Sequence, residues 1–111
     1  MYFNFLINSN VIVGNGTFRN IHKIIKQYGY SYPLFLVAEG FAKSNLWKIV
    51  FKKINDNFNK TKIIIISAKT EPTYNSLRRN LAEAKKTYCD VIIGVGGGSC
   101  LDTAKAVAVL I

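Results

Sequence analysis

Four glycines fall within five residues, Gly94 to Gly98, inside the stretch DVIIGVGGGSCLDTAK that runs from Asp90 to Lys105. Bare backbone between an apolar run and the start of a helix suits one chemistry above others. The first amides of a helix are unpaired and carry partial positive charge, and glycines let a phosphate approach them with no Cβ in the way. Gly96, Gly97 and Gly98 occupy the positions this geometry requires. The formal motifs are incomplete: Gly94-x-Gly96-x-x-Ser99 lacks the third glycine of a dinucleotide fingerprint, and no Gly-Lys-Ser/Thr follows to make a nucleoside-triphosphate loop. The plainer alternative is a tight strand-to-helix turn with no ligand, although a single glycine would serve that purpose.

The residues around the loop add detail. Ser99 and Asp102 have the Ser-x-x-Asp spacing of a capping box, so Ser99 reads first as an N-cap whose hydroxyl also reaches toward a ligand. Asp102 suits the helix dipole but would repel a diphosphate set directly on it. It fixes the cap, pairs with Lys105 or accepts a hydrogen bond from a ligand hydroxyl. Glu39 ends the apolar run LFLVA and precedes Gly40; a carboxylate at the carboxyl end of a parallel strand is where ribose hydroxyls are held, and its charge disfavours a 2′-phosphate. Gly14-Asn15-Gly16 reads as a turn. Cys89 and Cys100 have neither disulfide-scaffold numbers nor metal-ligand spacing, and no basic partner that would make either one a nucleophile. The one histidine, His22, reads as a surface residue of the first helix.

Short β and longer α segments position these groups. Phe3 to Ile7 and Val11 to Val13 flank the turn-prone Asn8-Ser9-Asn10 and predict a hairpin. Helical spacing of Ile21, Ile24, Ile25 and Tyr28 predicts a helix over Thr17 to Tyr28 stopped by Gly29, and Pro33 opens a buried strand over Leu34 to Ala38. Leu46, Ile49, Val50, Ile54 and Phe58 share one face of a second helix, with Lys48, Lys52 and Lys53 largely on the other. Ile63 to Ile66 has the pattern of a strand covered on both faces. Pro72-Thr73 opens a third helix through Thr87, and Val91 to Val95 is the last strand before the glycines. The order ββαβαβαβα predicts an α/β fold with a doubly wound, mostly parallel sheet. The final AKAVAVLI, apolar on most sides and without a capping residue, predicts that further protein packs around it.

The chain has 111 residues, about one domain, and half of them are hydrophobic, enough to bury a core. Its formal net charge of +9 comes mostly from lysines scattered among Asn and Ile, which read as solvated helix faces rather than a nucleic-acid surface. With two cysteines, no basic n-region leading into an apolar core, and no run long enough to span a bilayer, the expected compartment is the cytoplasm.

GVGGGSCLDTAK closely resembles the GGGSxxDxAK signature of the iron-containing alcohol dehydrogenases, within the wider dehydroquinate synthase-like and glycerol dehydrogenase-like superfamily. VIVGNGTF resembles the family's opening strand and turn, LFLVAEG its segment ending in Asp, and Glu71-Pro72-Thr73 its Asn-Pro-Thr loop. The resemblance implies a Rossmann-like domain over residues 1–111 that binds a nicotinamide dinucleotide. Gly96, Gly97, Gly98, Ser99 and Cys100 would lie along the diphosphate, and Glu39 would stand in for the ribose-binding Asp, with NAD the expected cofactor and NADP the second candidate. Ser99, where glycerol dehydrogenases tend to carry Lys, favours the alcohol dehydrogenase branch, whereas Glu71 departs from the family's Asn. The implied reaction is hydride transfer between the cofactor and a small-molecule alcohol or carbonyl substrate. A divalent metal, iron or zinc, would be held by an Asp and three His in a helical domain beyond Ile111. No nucleic-acid or membrane partner is expected, and a homo-oligomer is left open. The rival readings are a polyol or phosphonate reductase or a synthase of the same superfamily, and a non-catalytic nucleotide-binding module.

Overall fold

A computed structural model of the chain describes residues 16–67 and 73–111. The expected N-terminal hairpin, Gly14-Asn15 and Glu71-Pro72 lie outside the described residues. Three strands, β1 (Pro33–Ala38), β2 (Lys62–Ile66) and β3 (Val91–Val95), form a parallel sheet in the order β2-β1-β3. Among the described residues five α-helices accompany them: α1 (Ile21–Gln27), α2 (Glu39–Ala42), α3 (Asn45–Asn57), α4 (Tyr74–Ala84) and α5 (Gly98–Leu110).

The sheet is covered on both faces, and the alternation along β1 shows how. Phe35 and Val37 point to one side and pack with Ile25 of α1 and Trp47, Val50 and Ile54 of α3. Leu34 and Leu36 point to the other, against Ala84 of α4 and Cys100, Ala104 and Val107 of α5. A central strand with two buried faces has no polar position to spare, which is why LFLV is unbroken and all four residues are fully buried. The expected doubly wound α/β architecture is the observed one.

Local sequence explains most boundaries. The Ser44 hydroxyl caps α3 by accepting from the Trp47 amide at 3.2 Å, and the exposed Lys48 and Lys52 lie away from its buried stripe. Thr73 and Ser76 form a reciprocal capping box that starts α4. Gly29, at φ 82°, ends the first helix in a Schellman arrangement: its amide donates to Lys26 O, and the Tyr30 amide donates to Ile25 O.

Three expectations need correction. The predicted first helix is two pieces, a 3-10 turn over Thr17–Asn20 and then α1, broken where Asn20 leaves helical geometry at φ −108°, ψ 21°. The third helix ends at Ala84 rather than Thr87, because the chain must turn there to reach β3, and Tyr88 packs edge-on against Tyr32 in that turn. Most informative is β2, which is an edge strand among the described residues. The α1/α3 layer reaches Ile63 but leaves Ile65 49% exposed, so the isoleucine run is not covered on both faces.

A carboxylate closes the amino-terminal end of the sheet. Asp90 accepts the backbone amides of Ser31 and Tyr32, each at 2.8 Å, while its own amide donates to Tyr32 O at 3.0 Å. This ties the residues leading into β3 to those leading into β1, and so fixes the register of the two strands whose far ends form the crevice described next.

Candidate cofactor crevice at the strand ends

At the carboxyl ends of β1 and β2, Ala38, Ile66, Ser67, Gly97, Gly98, Ser99 and Cys100 line a cavity of about 210 Å3. A larger depression of about 410 Å3 shares Ile66, Ser67 and Ser99 with it and is walled by Ser76, Arg79, Asn80 and Glu83 of α4 and Thr103 of α5. The smaller cavity lies at the strand ends, the place where open α/β sheets bind ligands, and the larger one adjoins it through these shared residues.

The glycines divide into two kinds. A Cβ on Gly94 would stand 2.8 Å from the Ala104 Cβ, so this glycine lets α5 pack closely on β3. Gly96 has φ 151°, and a Cβ there would stand 2.6 Å from that of Ala38 and 3.1 Å from that of Cys100. The fold requires both. Gly97 and Gly98 differ: a Cβ at either position would meet no atom of the described residues within 4 Å, and Gly97, at φ −83° and ψ −170°, is in extended backbone open to any residue. Nothing in the packing of the described residues asks for glycine at these two exposed positions, and both line the crevice. A ligand that must touch backbone supplies the missing reason.

Helix α5 begins at this point with Gly97 as its N-cap, and no side chain caps it. The Leu101 amide donates to Gly97 O at 3.0 Å and starts the helical ladder, leaving the amides before it without intrahelical partners. They form an anion-receptive end on a helix of 13 residues.

This start corrects the expected roles of Ser99 and Asp102. Ser99 is the second residue of the helix, not its cap, and its carbonyl accepts the Thr103 hydroxyl at 2.9 Å. The capping box therefore does not form, because extended Gly97 takes the cap position two residues earlier. Ser99 is half-buried in the crevice wall. Asp102 lies beyond the first turn, exposed, and no ion pair joins it to Lys105.

Cys100 helps wall the crevice, but its thiol is directed beneath the loop. It is 2% exposed, with Sγ 3.2 Å from Leu36 O and 3.4 Å from Val95 O, and burial pushes its pKa up, so it remains a neutral thiol. It thereby links the first turn of α5 to β1 and β3. Glu39 immediately follows Ala38 at the crevice rim, half-exposed as the first residue of α2, and is ion-paired with Lys43 at 3.7 Å. Sequence reasoning passed over Ser67 and Lys43; the rule that ligands sit at strand ends was the available signal for Ser67.

The other chemistry-bearing residues lie elsewhere. His22 is a correction: it is buried, not at the surface, and its Nδ1 has no hydrogen-bond partner among the described residues. Burial, then the nearby Lys53, Lys23 and Lys26, lower its pKa. Cys89 is half-buried, and desolvation followed by Asp90 raises its pKa. Among the described residues no three His, Cys, Asp or Glu side chains come together as a metal site, and no helix is long and apolar enough to cross a membrane.

Fold and crevice define the class: a parallel, doubly wound α/β domain with an anion-receptive glycine loop at its carboxyl edge. The model of the iron-containing alcohol dehydrogenase family matches residues 8–111, and the chain belongs to that family. Alcohol dehydrogenase 4 of Schizosaccharomyces pombe is 30% identical over 106 residues, covering 96% of this chain and 25% of the relative. Sulfoacetaldehyde reductase of Bilophila wadsworthia is 32% identical over 101 residues, covering 91% and 26%. Among solved structures, NADH-dependent butanol dehydrogenase A of Thermotoga maritima superposes with a TM-score of 0.78 at 30% identity, covering 96% of this chain and 27% of that one. The chain thus spans about a quarter of the length of the relatives it matches.

Proposed function

We propose that this chain is the cofactor-binding part of a nicotinamide-dependent alcohol dehydrogenase or carbonyl reductase. The observation that carries the reading is the pair Gly97 and Gly98, bare of side chains at an uncapped helix start where the fold has room for them. A dinucleotide's diphosphate lies on the amides of Gly98, Ser99 and Cys100, and its adenosine ribose lies toward Glu39, whose carboxylate accepts the hydroxyls. That carboxylate favours NAD over NADP. The names of two relatives agree: NAD-dependent methanol dehydrogenase of Bacillus methanolicus and probable NADH-dependent butanol dehydrogenase 1 of Bacillus subtilis.

The cofactor supplies hydride chemistry with an alcohol or carbonyl substrate. This chain's residues bind and orient: Ser99 and Ser67 present hydroxyls in the crevice, and Cys100 holds the loop against the strand ends. The described residues do not fit the metal that the family name implies, since no three His, Cys, Asp or Glu side chains among them come together. In our reading its ligands belong to the length that the relatives have in addition.

The test is a fluorescence titration with NADH of the protein expressed from its complete reading frame, followed by NAD-dependent oxidation of short-chain alcohols. Saturable binding and turnover are expected. A folded protein that leaves NADH fluorescence unchanged would refute the proposal.

A further inference from the structure

Glu39, next in the chain to the crevice-lining Ala38, does not stand alone. Lys43, one helical turn on, brings its ammonium within 3.7 Å of the Glu39 carboxylate at the carboxyl end of β1. Both side chains are open to solvent, Lys43 at 77% and Glu39 at 38%. An exposed ion pair at that separation is weak and easily exchanged, and lysine carries its point charge on a flexible stem. Neither charge has another ion-pair partner among the described residues.

We propose that Lys43 is a specificity-determining residue that admits the 2′-phosphorylated cofactor, so that Glu39 and Lys43 together accept either form of the adenosine ribose. This rests on the cofactor reading above. With a free 2′,3′-diol, the carboxylate accepts the hydroxyls and Lys43 remains its counter-ion. With a 2′-phosphate, the ammonium transfers from carboxylate to phosphate and offsets the repulsion that Glu39 would otherwise exert. No backbone rearrangement is needed, because the exchange moves one solvated side chain. A carboxylate without a neighbouring cation would exclude NADP more strictly.

The experiment measures dissociation constants for NADH and NADPH by fluorescence titration, at low and high salt, on the complete protein and its Lys43→Ala, Lys43→Arg and Lys52→Ala variants. The exposure of Lys43 means that its variants should fold as the parent does. The parent is expected to bind both cofactors. Lys43→Ala should move the NADPH-to-NADH ratio about tenfold against NADPH, and the shift should shrink as salt screens the contact. Lys43→Arg should keep the ratio within about threefold. Lys52→Ala removes the same charge from an exposed position on α3 and should leave the ratio at the parent value. A ratio that Lys43→Ala moves no more than Lys52→Ala does, or a parent that binds NADH with no saturable NADPH binding, overturns the proposal and leaves the cofactor reading standing. A folded parent that binds neither refutes the cofactor reading itself, and the proposal with it.

Discussion

Replacing Gly97 with valine separates a ligand loop from a turn. A Cβ at this position meets no atom of the described residues within 4 Å, and φ −83°, ψ −170° lies in the extended region that β-branched residues favour. Packing therefore has little to lose; valine is a poorer N-cap for α5 than glycine, a cost partly offset by the reduced freedom of the unfolded chain, so the stability change should stay within about 1 kcal/mol. Binding is another matter. The isopropyl group would stand between a diphosphate and the first amides of α5, and a hydrogen bond to a charged group contributes about 1.5–3 kcal/mol. Loss of one or two such bonds amounts to about 3 kcal/mol, or roughly a hundredfold rise in the NADH dissociation constant. Gly96→Ala is the internal contrast. At φ 151° its Cβ would be 2.6 Å from that of Ala38, so this change should lower the melting temperature whether or not a ligand binds. The assay pairs NADH titration with thermal melting of both variants. If Gly97→Val melts with the parent and binds NADH within about threefold of it, the bare backbone at Gly97 has no ligand to serve and the argument fails.

Two further outcomes follow from buried groups. Cys100→Ala deletes the Sγ that joins Leu36 O and Val95 O, so it should cost about 1–2 kcal/mol of stability and weaken NADH binding severalfold, while Cys100→Ser, which keeps a donor there, should recover most of the affinity; equal NADH dissociation constants in both variants and the parent would remove the thiol from loop positioning. His22 has its folded-state pKa lowered by burial and by Lys53, Lys23 and Lys26, so the unfolded chain takes up a proton before the folded one does; the melting temperature should fall as pH drops through about 6.5, and His22→Gln should flatten that slope between pH 7 and 5.

The parts of the site that were legible in the sequence were those whose signal is chemical and local. Four glycines between an apolar run and a helix announced a backbone surface, and Glu39 after LFLVA announced a carboxylate at a strand end. What misled was a motif that the backbone did not need. Ser-x-x-Asp has capping-box spacing, yet extended Gly97 caps α5 without a side chain, and Ser99 and Asp102 each moved one role away. His22 could have been read correctly, because it stands three residues before Ile25 and so shares the buried face of α1. Ile65 could not. Its exposure goes with the place of β2 at the edge of the three described strands, and strand order is set by which crossovers pack together, information that no five-residue pattern contains.

Strand order also explains how the site assembles. In the usual dinucleotide-binding unit the glycine strand comes first in the chain and the acidic strand follows it. Here the acidic strand β1 precedes the glycine strand β3, with all of β2 and α4 between them. The sheet nevertheless places β1 directly beside β3, in a register that pairs Val37 with Val95, so Glu39 and Gly97 each stand two residues beyond partnered positions. The spatial relation of acid and glycine loop survives although their order along the chain is reversed. Asp90 at one end of the two strands and Cys100 at the other hold that relation from both sides. A glycine motif read only through chain-order fingerprints looks incomplete in this protein. Read through the sheet, the packing role that the absent third glycine usually fills, close helix-to-strand contact, falls to the motif's first glycine, Gly94, which faces Ala104 from within β3.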